Sequence, residues 1–325
     1  MNYAYQMGSG STARRTLEFG KTHVVRPKGN HQATIVWLHG LGDNGLSSFQ
    51  LLESLPLPNI KWICPTAPIR SVAILGGFSC TAWFDMGELS EDCPVDWEGL
   101  DATSAHISNL LSAEPSHVKV GIGGFSMGAA TALYSATCFA MGRYGNGIPY
   151  LINLSAVIGL SGWLPGSRSL TSRIEMSDEA RRRAASLPVF LSHGISDDVV
   201  PYKYGEKSAQ FLSSAGFQYI TFKSAQFGHY TVPREMDEVS NWLGSRHKPQ
   251  HFFSTLCVSF CNPNPKYHST AAACFPSTPT TDLFLLSPKE PHFLHLLNYF
   301  YLSVRTKTTP KTIFFPNYRL QRLHV

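Results

Sequence analysis

The chain has 325 residues, of which 43% are hydrophobic and 15% are charged, so it can bury a sizeable core and does not have the composition of a disordered protein. Its net charge of +5 does not indicate nucleic-acid binding, because residues 1–244 carry 18 basic and 20 acidic side chains while residues 245–325 carry 9 and 2. Seven scattered cysteines, no apolar leader and no apolar run of about 18 residues predict a cytoplasmic protein without a transmembrane segment.

Glycine use divides the chain. All 26 glycines lie at or before Gly244, although a globular α/β domain uses glycine at turns and helix ends throughout. The segment after that point has nine prolines and short apolar clusters broken by polar residues. We therefore predict a flexible N-terminus over 1–16, a catalytic domain over 17–244 and a disordered tail over 245–325.

Strand-like and helix-like segments alternate along the first 244 residues, which predicts a mainly parallel sheet flanked by helices. Strands are predicted over 34–40, 60–65, 118–126, 155–163, 187–194 and 218–224. Helices are predicted directly after residue 126 and over 47–55, 100–111, 177–187, 202–216 and 232–243.

The early motif His39-Gly40-Leu41-Gly42-Asp43 ends the first strong strand. Acyl transfer needs two backbone N–H donors at the oxyanion, one of which comes from an early strand–helix loop of this kind. Leu41 lies in this loop and is predicted to give that donor. The other donor is predicted to be Met127, which directly follows the candidate nucleophile Ser126. His39 itself is predicted to be structural.

The strongest local motif is Gly124-Phe125-Ser126-Met127-Gly128, between a strand-like and a helix-like run. In a nucleophile elbow, the strand turns sharply into the helix and holds the serine Oγ above the sheet. Neighbouring backbone crowds the positions two before and two after the serine, which gives both glycines a steric reason. Ser126 is therefore predicted to be a nucleophile.

A nucleophilic serine needs a base, and the base needs a carboxylate that orients it. In α/β-hydrolases the chain order is serine, acid and histidine, each in a loop that follows a strand. Asp197 and Asp198 follow the strand at 187–194, and His229 follows the strand at 218–224. The spacing does not choose between the two aspartates.

No metal site is predicted. The tail places Cys257 and Cys261 near His247, His251 and His268, but their spacing fits no standard zinc pattern.

With these motifs in place, residues 17–244 resemble the acyl-protein thioesterase and carboxylesterase family, which includes lysophospholipase-like members. The matching pieces, in order, are TIVWLHGLGDNG (34–45), KWICPTAP (61–68), AWFD (82–85), GIGGFSMGAA (121–130), GLSGWLP (159–165), SHGISDDVVP (192–201) and GHYTVP (228–233). The resemblance implies an α/β-hydrolase fold and cleavage of acyl thioesters or carboxyl esters without a metal or organic cofactor.

Carried across residue by residue, the resemblance implies Ser126, Asp197 and His229 as the catalytic residues and Leu41 and Met127 as the oxyanion donors. It also implies that the loop over 72–84 lines the acyl groove. The apolar side chains expected to form that wall are Ile74, Leu75, Phe78, Trp83 and Phe84.

Three substrate classes stay open at this point: S-acylated proteins at membrane surfaces, lysophospholipids and small carboxyl esters. An apolar groove serves all of them. The alternative to an enzyme is a hydrolase-fold binding protein or receptor with little or no turnover, since such a protein can keep the same motifs.

Overall fold

A computed structural model of the protein describes residues 17–90, 93–175 and 177–246. The predictions for residues 1–16 and for the tail beyond 246, including its cysteines and histidines, lie outside these residues. The strands are β1 His23–Val25, β2 Ala33–Leu38, β3 Ile60–Cys64, β4 Ile69–Ser71, β5 Ser79–Thr81, β6 Lys119–Phe125, β7 Leu154–Leu160, β8 Val189–Gly194 and β9 Ile220–Ala225. The α-helices are α1 Gly45–Glu53, α2 Trp97–Ser112, α3 Met127–Met141, α4 Ser167–Glu175, α5 Asp178–Ser186, α6 Tyr202–Ser214 and α7 Pro233–Arg246.

Seven of the strands form one sheet in the order β1-β3-β2-β6-β7-β8-β9. β1 pairs antiparallel with β3, and every other neighbouring pair in this sheet is parallel. Parallel neighbours need a crossover connection, which the helices between successive strands provide. The predicted fold class, an α/β-hydrolase with a mainly parallel sheet, is confirmed.

Both faces of the sheet are covered, as the continuous apolar run of β2 requires. Val36 and Leu38 belong to one hydrophobic cluster, which includes residues of α2 and α3. Ile35 and Trp37 point the opposite way into a second cluster, which includes residues of α1 and α7. Successive side chains of a strand alternate between faces, so a buried strand in the middle of the sheet is apolar throughout.

Two helices begin earlier than predicted because polar side chains cap them. The Asp96 carboxylate accepts a hydrogen bond from the Gly99 N–H, and α2 begins at Trp97 rather than at residue 100. The Asn44 side chain accepts two N–H groups in the same way, and α1 begins at Gly45 rather than at residue 47. Each cap satisfies backbone donors that the first turn leaves free.

Five elements were not predicted, and four of them have three residues each. β1 has three residues, and β4 and β5 form a small hairpin separate from the main sheet. The predicted loop over 72–84 therefore contains a strand, together with a short 3-10 helix at Ala73–Leu75. Helix α4 has a largely polar sequence with only two apolar residues, Leu170 and Ile174. The four three-residue elements carry too few residues for periodicity to detect them.

Within the described part of the chain, no helix is both long and apolar enough to cross a membrane.

Candidate active site

The predicted site residues lie at the carboxyl ends of parallel strands. Leu41 follows β2, Ser126 follows β6, Asp197 follows β8 and His229 follows β9. Carboxyl ends of parallel strands meet at one edge of a sheet, where open α/β folds hold their ligands. The structure brings all four loops to this edge.

Ser126 has a strained backbone. Its φ of 54° and ψ of −119° lie in a region that non-glycine residues rarely adopt. The strain is offset by the surrounding structure: the Ser126 N–H donates to the Leu160 carbonyl at 2.8 Å, and α3 starts at the next residue.

The two glycines of the motif allow close backbone contact. A Cβ added at Gly124 would lie 2.5 Å from the carbonyl carbon of Gly128, and one added at Gly128 would lie 2.2 Å from the Leu38 carbonyl oxygen. Both neighbours are backbone atoms, which cannot rotate away. Glycine is therefore required at both positions by packing.

We expect Gly128→Ala to lower the free energy of unfolding by about 3 kcal/mol, because the added methyl group must displace the backbone of β2. Gly244→Ala is the matched control, since a Cβ there meets nothing within 4 Å and should change stability by less than about 1 kcal/mol. Urea unfolding of both full-length variants measures the difference. Equal stabilities would contradict the crowding argument.

A hydrogen-bonded row joins three side chains at this edge. The His229 Nε2 atom lies 2.8 Å from the Ser126 Oγ atom, and the His229 Nδ1 atom lies 2.8 Å from Asp197 Oδ2. The Ser126 residue is 8% exposed, so most of it is closed off from solvent. A neutral imidazole in this position can accept the serine proton while its Nδ1–H donates to the carboxylate.

Of the two adjacent aspartates, the structure places Asp197 in the row. Its Oδ1 atom accepts the N–H groups of Val199 at 3.0 Å and Val200 at 2.8 Å. Asp198 is exposed to solvent. Burial alone would raise the pKa of Asp197, but hydrogen bonds from His193, His229 and the Val200 N–H together hold that pKa well below its usual value.

The loop that carries Leu41 is fixed by His39. The His39 Nδ1 atom lies 2.7 Å from the Gly40 carbonyl oxygen, and its Nε2 atom accepts the Ala67 N–H at 3.0 Å. Because an amide only donates, we assign the neutral Nδ1–H tautomer. Burial lowers the pKa of His39, which favours the same neutral form. His39 thus occupies a supporting position beneath the loop.

The β4–β5 hairpin also holds this loop. The Gly42 N–H donates to the Thr81 carbonyl at 2.8 Å, and the Thr81 hydroxyl donates to the Asp43 carbonyl at 2.6 Å. Met127, the second predicted donor, opens α3, where its N–H has no preceding carbonyl within the helix.

The predicted apolar wall is only partly present. Ile74 and Leu75 are half-buried and Phe78 is 60% exposed, so these side chains are at least partly accessible to solvent. Trp83 is 0% exposed, and its Nε1–H donates to the His39 carbonyl at 2.8 Å. The prediction that Trp83 lines the groove is wrong, because the side chain belongs to the core under the loop.

Phe84 is buried at 3% exposure but does reach a cavity of about 310 Å³. Trp163 also lines this cavity and meets Phe84 edge-on, with 6.1 Å between ring centroids. Trp163 directly follows Gly162, where an added Cβ would lie 3.1 Å from the Ser126 carbonyl oxygen. The cavity therefore begins close to the elbow, although none of the three side chains of the row lines it.

Two buried ionisable residues near the row were not predicted. His193 is 1% exposed and its Nε2 atom lies 3.4 Å from Asp197 Oδ2. Glu235 is 4% exposed in the first turn of α7. No sequence signal predicts the burial of Glu235, because an acidic residue shortly after a proline is typical of an exposed helix start.

Burial raises the pKa of Glu235 from 4.5 to about 7, although the Ser192 hydroxyl and His193 act in the lowering direction. A carboxyl whose pKa is raised on folding stabilises the folded state most below its unfolded pKa, and this contribution is lost as the pH rises through the folded pKa. We therefore expect the stability of the natural chain, relative to Glu235→Gln, to fall by about 3 kcal/mol between about pH 4.5 and about pH 7.

Thermal or urea unfolding across that range measures this difference. Asp237→Asn is the matched control, because it makes the same change at an exposed position on the same helix. A stability difference between Glu235→Gln and the natural chain that does not vary with pH would contradict the raised pKa.

Comparison with known proteins gives a consistent result. The sequence profile of the phospholipase/carboxylesterase family matches residues 20–247. Acyl-protein thioesterase 1 homolog 1 of Dictyostelium discoideum is 30% identical over 232 residues, which cover 68% of this chain and 94% of that protein. The crystal structure of Zea mays acyl-protein thioesterase 2 is 66% identical with a TM-score of 0.69, and the match covers 70% of this chain and 98% of that one. The crystal structure of Arabidopsis thaliana SOBER1 is 27% identical with a TM-score of 0.54, covering 66% and 99%.

Proposed function

Because the chain belongs to the phospholipase/carboxylesterase family of ester and thioester hydrolases, we propose that it removes acyl groups through a covalent intermediate on Ser126. The observation that carries this proposal is the row of two 2.8 Å contacts from Ser126 through His229 to Asp197. A serine hydroxyl is a weak nucleophile unless an adjacent base takes its proton.

In the first half of the reaction, the Ser126 Oγ atom attacks the acyl carbon while His229 Nε2 takes the hydroxyl proton. The Asp197 carboxylate holds the imidazole in the required tautomer and stabilises the cation that forms. The carbonyl oxygen becomes an oxyanion, and we propose that the N–H groups of Leu41 and Met127 bind it. Collapse of this intermediate breaks the bond to the thiol or alcohol, which leaves with the proton from His229.

In the second half, water attacks the acyl-serine and gives a proton to the same Nε2 atom. The Ser126 Oγ atom then leaves and recovers that proton, which releases the carboxylic acid. No net proton or charge accumulates on the protein, so the three side chains return to their starting state.

For the substrate, we propose an acyl thioester of a protein, at membrane surfaces where S-acylated proteins lie. The name of the Zea mays relative, an acyl-protein thioesterase at 66% identity, supports this choice. The cavity lined by Phe84 and Trp163 has a mixed polar and apolar lining, and its aromatic part offers apolar surface for part of an acyl chain. Lysophospholipids and small carboxyl esters are the alternative substrates, because they undergo the same acyl transfer. The cytoplasmic location is a separate prediction.

The direct test is labelling of the full-length chain with a fluorophosphonate probe, followed by mapping of the modified peptide. We expect a single adduct on Ser126, because only a hydroxyl with an adjacent base reacts readily. Absence of an adduct on a folded chain would reject the mechanism and favour a hydrolase-fold binding protein instead.

A panel of thioesters and oxygen esters with matched acyl chains then identifies the substrate class. Preference for S-acylated peptides over lysophospholipids and short esters would support the proposed substrate. A higher kcat/KM for lysophospholipids would replace it while leaving the mechanism in place.

A further inference from the structure

The carboxylate of Asp197 is closed off from solvent, and four N–H groups face it. Its side chain is 0% exposed. The N–H groups of Val199 and Val200 donate to Oδ1 at 3.0 and 2.8 Å, and the His229 Nδ1 atom lies 2.8 Å from Oδ2. The fourth group belongs to His193, whose Nε2 atom lies 3.4 Å from Oδ2. A carboxylate has about four acceptor sites, so these donors can satisfy it without water.

The His193 Nε2 atom carries a hydrogen. It lies 2.7 Å from the Val200 carbonyl oxygen, and a carbonyl only accepts. This N–H therefore makes its shorter contact with Val200 and its longer contact, at 3.4 Å, with Asp197 Oδ2. Val200 also donates its own N–H to Asp197 Oδ1. The imidazole, the Val200 backbone and the carboxylate thus form a closed ring of polar contacts.

Helix α6 holds the His193 ring in place. A Cβ added at Gly205 would lie 2.3 Å from the His193 Nδ1 atom, so this glycine lets the helix pack directly on the ring. Tyr202 meets the ring edge-on, with centroids 6.1 Å apart and an interplanar angle of 87°. Because His193 is 1% exposed, protein encloses the ring, and we expect it to keep one orientation.

The orientation of the Asp197 carboxylate matters for the reaction. Its Oδ2 atom must face His229 Nδ1 while the imidazolium forms. The terminal torsion of an aspartate is soft, and rotation about it would lengthen that 2.8 Å contact. The two backbone donors act on Oδ1, whereas His193 acts on the same oxygen that faces His229.

We propose, on the basis of the function proposed above, that His193 is a positioning residue whose Nε2–H holds the Asp197 carboxylate and the Val200 carbonyl in the geometry that orients His229. It acts through Asp197 and takes no proton during turnover. Loss of this N–H lets the carboxylate turn, so the chemical step slows. Because the described residues that line the cavity of about 310 Å³ do not include His193, we expect substrate binding to change little.

The test compares His193→Gln with His193→Met in the full-length chain. The glutamine amide can place an N–H near the position of the imidazole Nε2–H, whereas methionine is an adaptable apolar side chain without a donor. For a p-nitrophenyl ester, we expect His193→Met to lower kcat by about 10- to 100-fold with little change in KM. His193→Gln should stay within about threefold of the natural chain.

His117→Met is the matched control, because it makes the same change at an exposed position, and it should keep the activity of the natural chain. Equal kcat values for His193→Gln and His193→Met would overturn the proposal, since they would show that the N–H has no part in the rate. A loss that falls on KM instead of kcat would overturn it as well.

A double variant tests whether His193 acts through the carboxylate. In the Asp197→Asn background, His193→Met should lower kcat by less than about threefold, because the group that it positions is already lost. A loss as large as the one that His193→Met causes in the natural chain would overturn the proposal.

A measurement on the natural chain guards against variants that fail to fold. NMR of the ¹⁵N-labelled histidine rings reports which ring nitrogen carries a hydrogen, and we expect one on His193 Nε2. A bare Nε2 atom would overturn the proposal.

Fluorophosphonate labelling separates this proposal from the proposed function. A chain that labels on Ser126 but keeps its kcat in His193→Met refutes only the role of His193. A folded natural chain that does not label refutes the mechanism itself.

Discussion

Ser126→Ala should abolish ester turnover while leaving the fold intact. Removal of the Oγ atom removes the group that forms the covalent intermediate, so we expect kcat to fall by about 10⁴- to 10⁶-fold. The residual rate would come from water attack at the oxyanion donors. Hydrolysis of a p-nitrophenyl ester by the purified full-length variant measures the loss, and circular dichroism checks the fold.

Ser196→Ala is the matched control. Ser196 is an exposed serine in the loop that also carries Asp197, and its hydroxyl donates to Gln226 rather than to the row. This variant should keep the activity of the natural chain. If Ser126→Ala retained the same turnover as Ser196→Ala, the nucleophile would have to be another residue.

Asp197→Asn is expected to lower kcat by about 10³- to 10⁴-fold with little change in KM. Asparagine fits the same space, but its NH₂ group can face His229 Nδ1 and stabilise the tautomer that carries its proton on Nε2. The imidazole then has no lone pair for the Ser126 hydroxyl. Steady-state kinetics with the same ester would separate this loss in kcat from a loss of binding.

Asp198→Asn is the matched control for the adjacent position. Asp198 is exposed, so we expect its amide variant to retain full activity. A large loss in Asp198→Asn together with normal activity in Asp197→Asn would exchange the roles of the two aspartates and would contradict the hydrogen bonding around Asp197.

The sequence predicted those features that local patterns determine. Six strands, and the helices between them apart from α4, follow from apolar runs that end at glycine or proline, and the sheet confirms this α/β class. The elbow around Ser126 is predictable because backbone crowding requires glycine at the positions two residues before and two residues after the serine. Asp197 and His229 are predictable because each follows a strand. Parallel strands bring the loops at their carboxyl ends to one edge of the sheet.

Features that depend on long-range packing were not accessible in this way. Trp83 is an apolar residue in a segment expected to face the substrate. Only the three-dimensional arrangement shows that its Nε1–H donates a hydrogen bond to the His39 carbonyl. The sequence around Glu235 is typical of an exposed helix start, but the packing of α7 buries this side chain. No sequence spacing predicts that burial, because it is decided by which elements pack together.

The bond between Thr81 and the Gly42–Asp43 segment limits how freely this enzyme can change its substrate preference. The hairpin that presents Phe78 to the outside is tied by two hydrogen bonds to the turn that presents the Leu41 amide. If the hairpin contacts the acyl chain as proposed, a change that reshapes it for a different acyl chain is expected also to move the proposed Leu41 donor. Selectivity and rate are expected to vary together in such variants, and compensating changes should concentrate where the hairpin meets the turn.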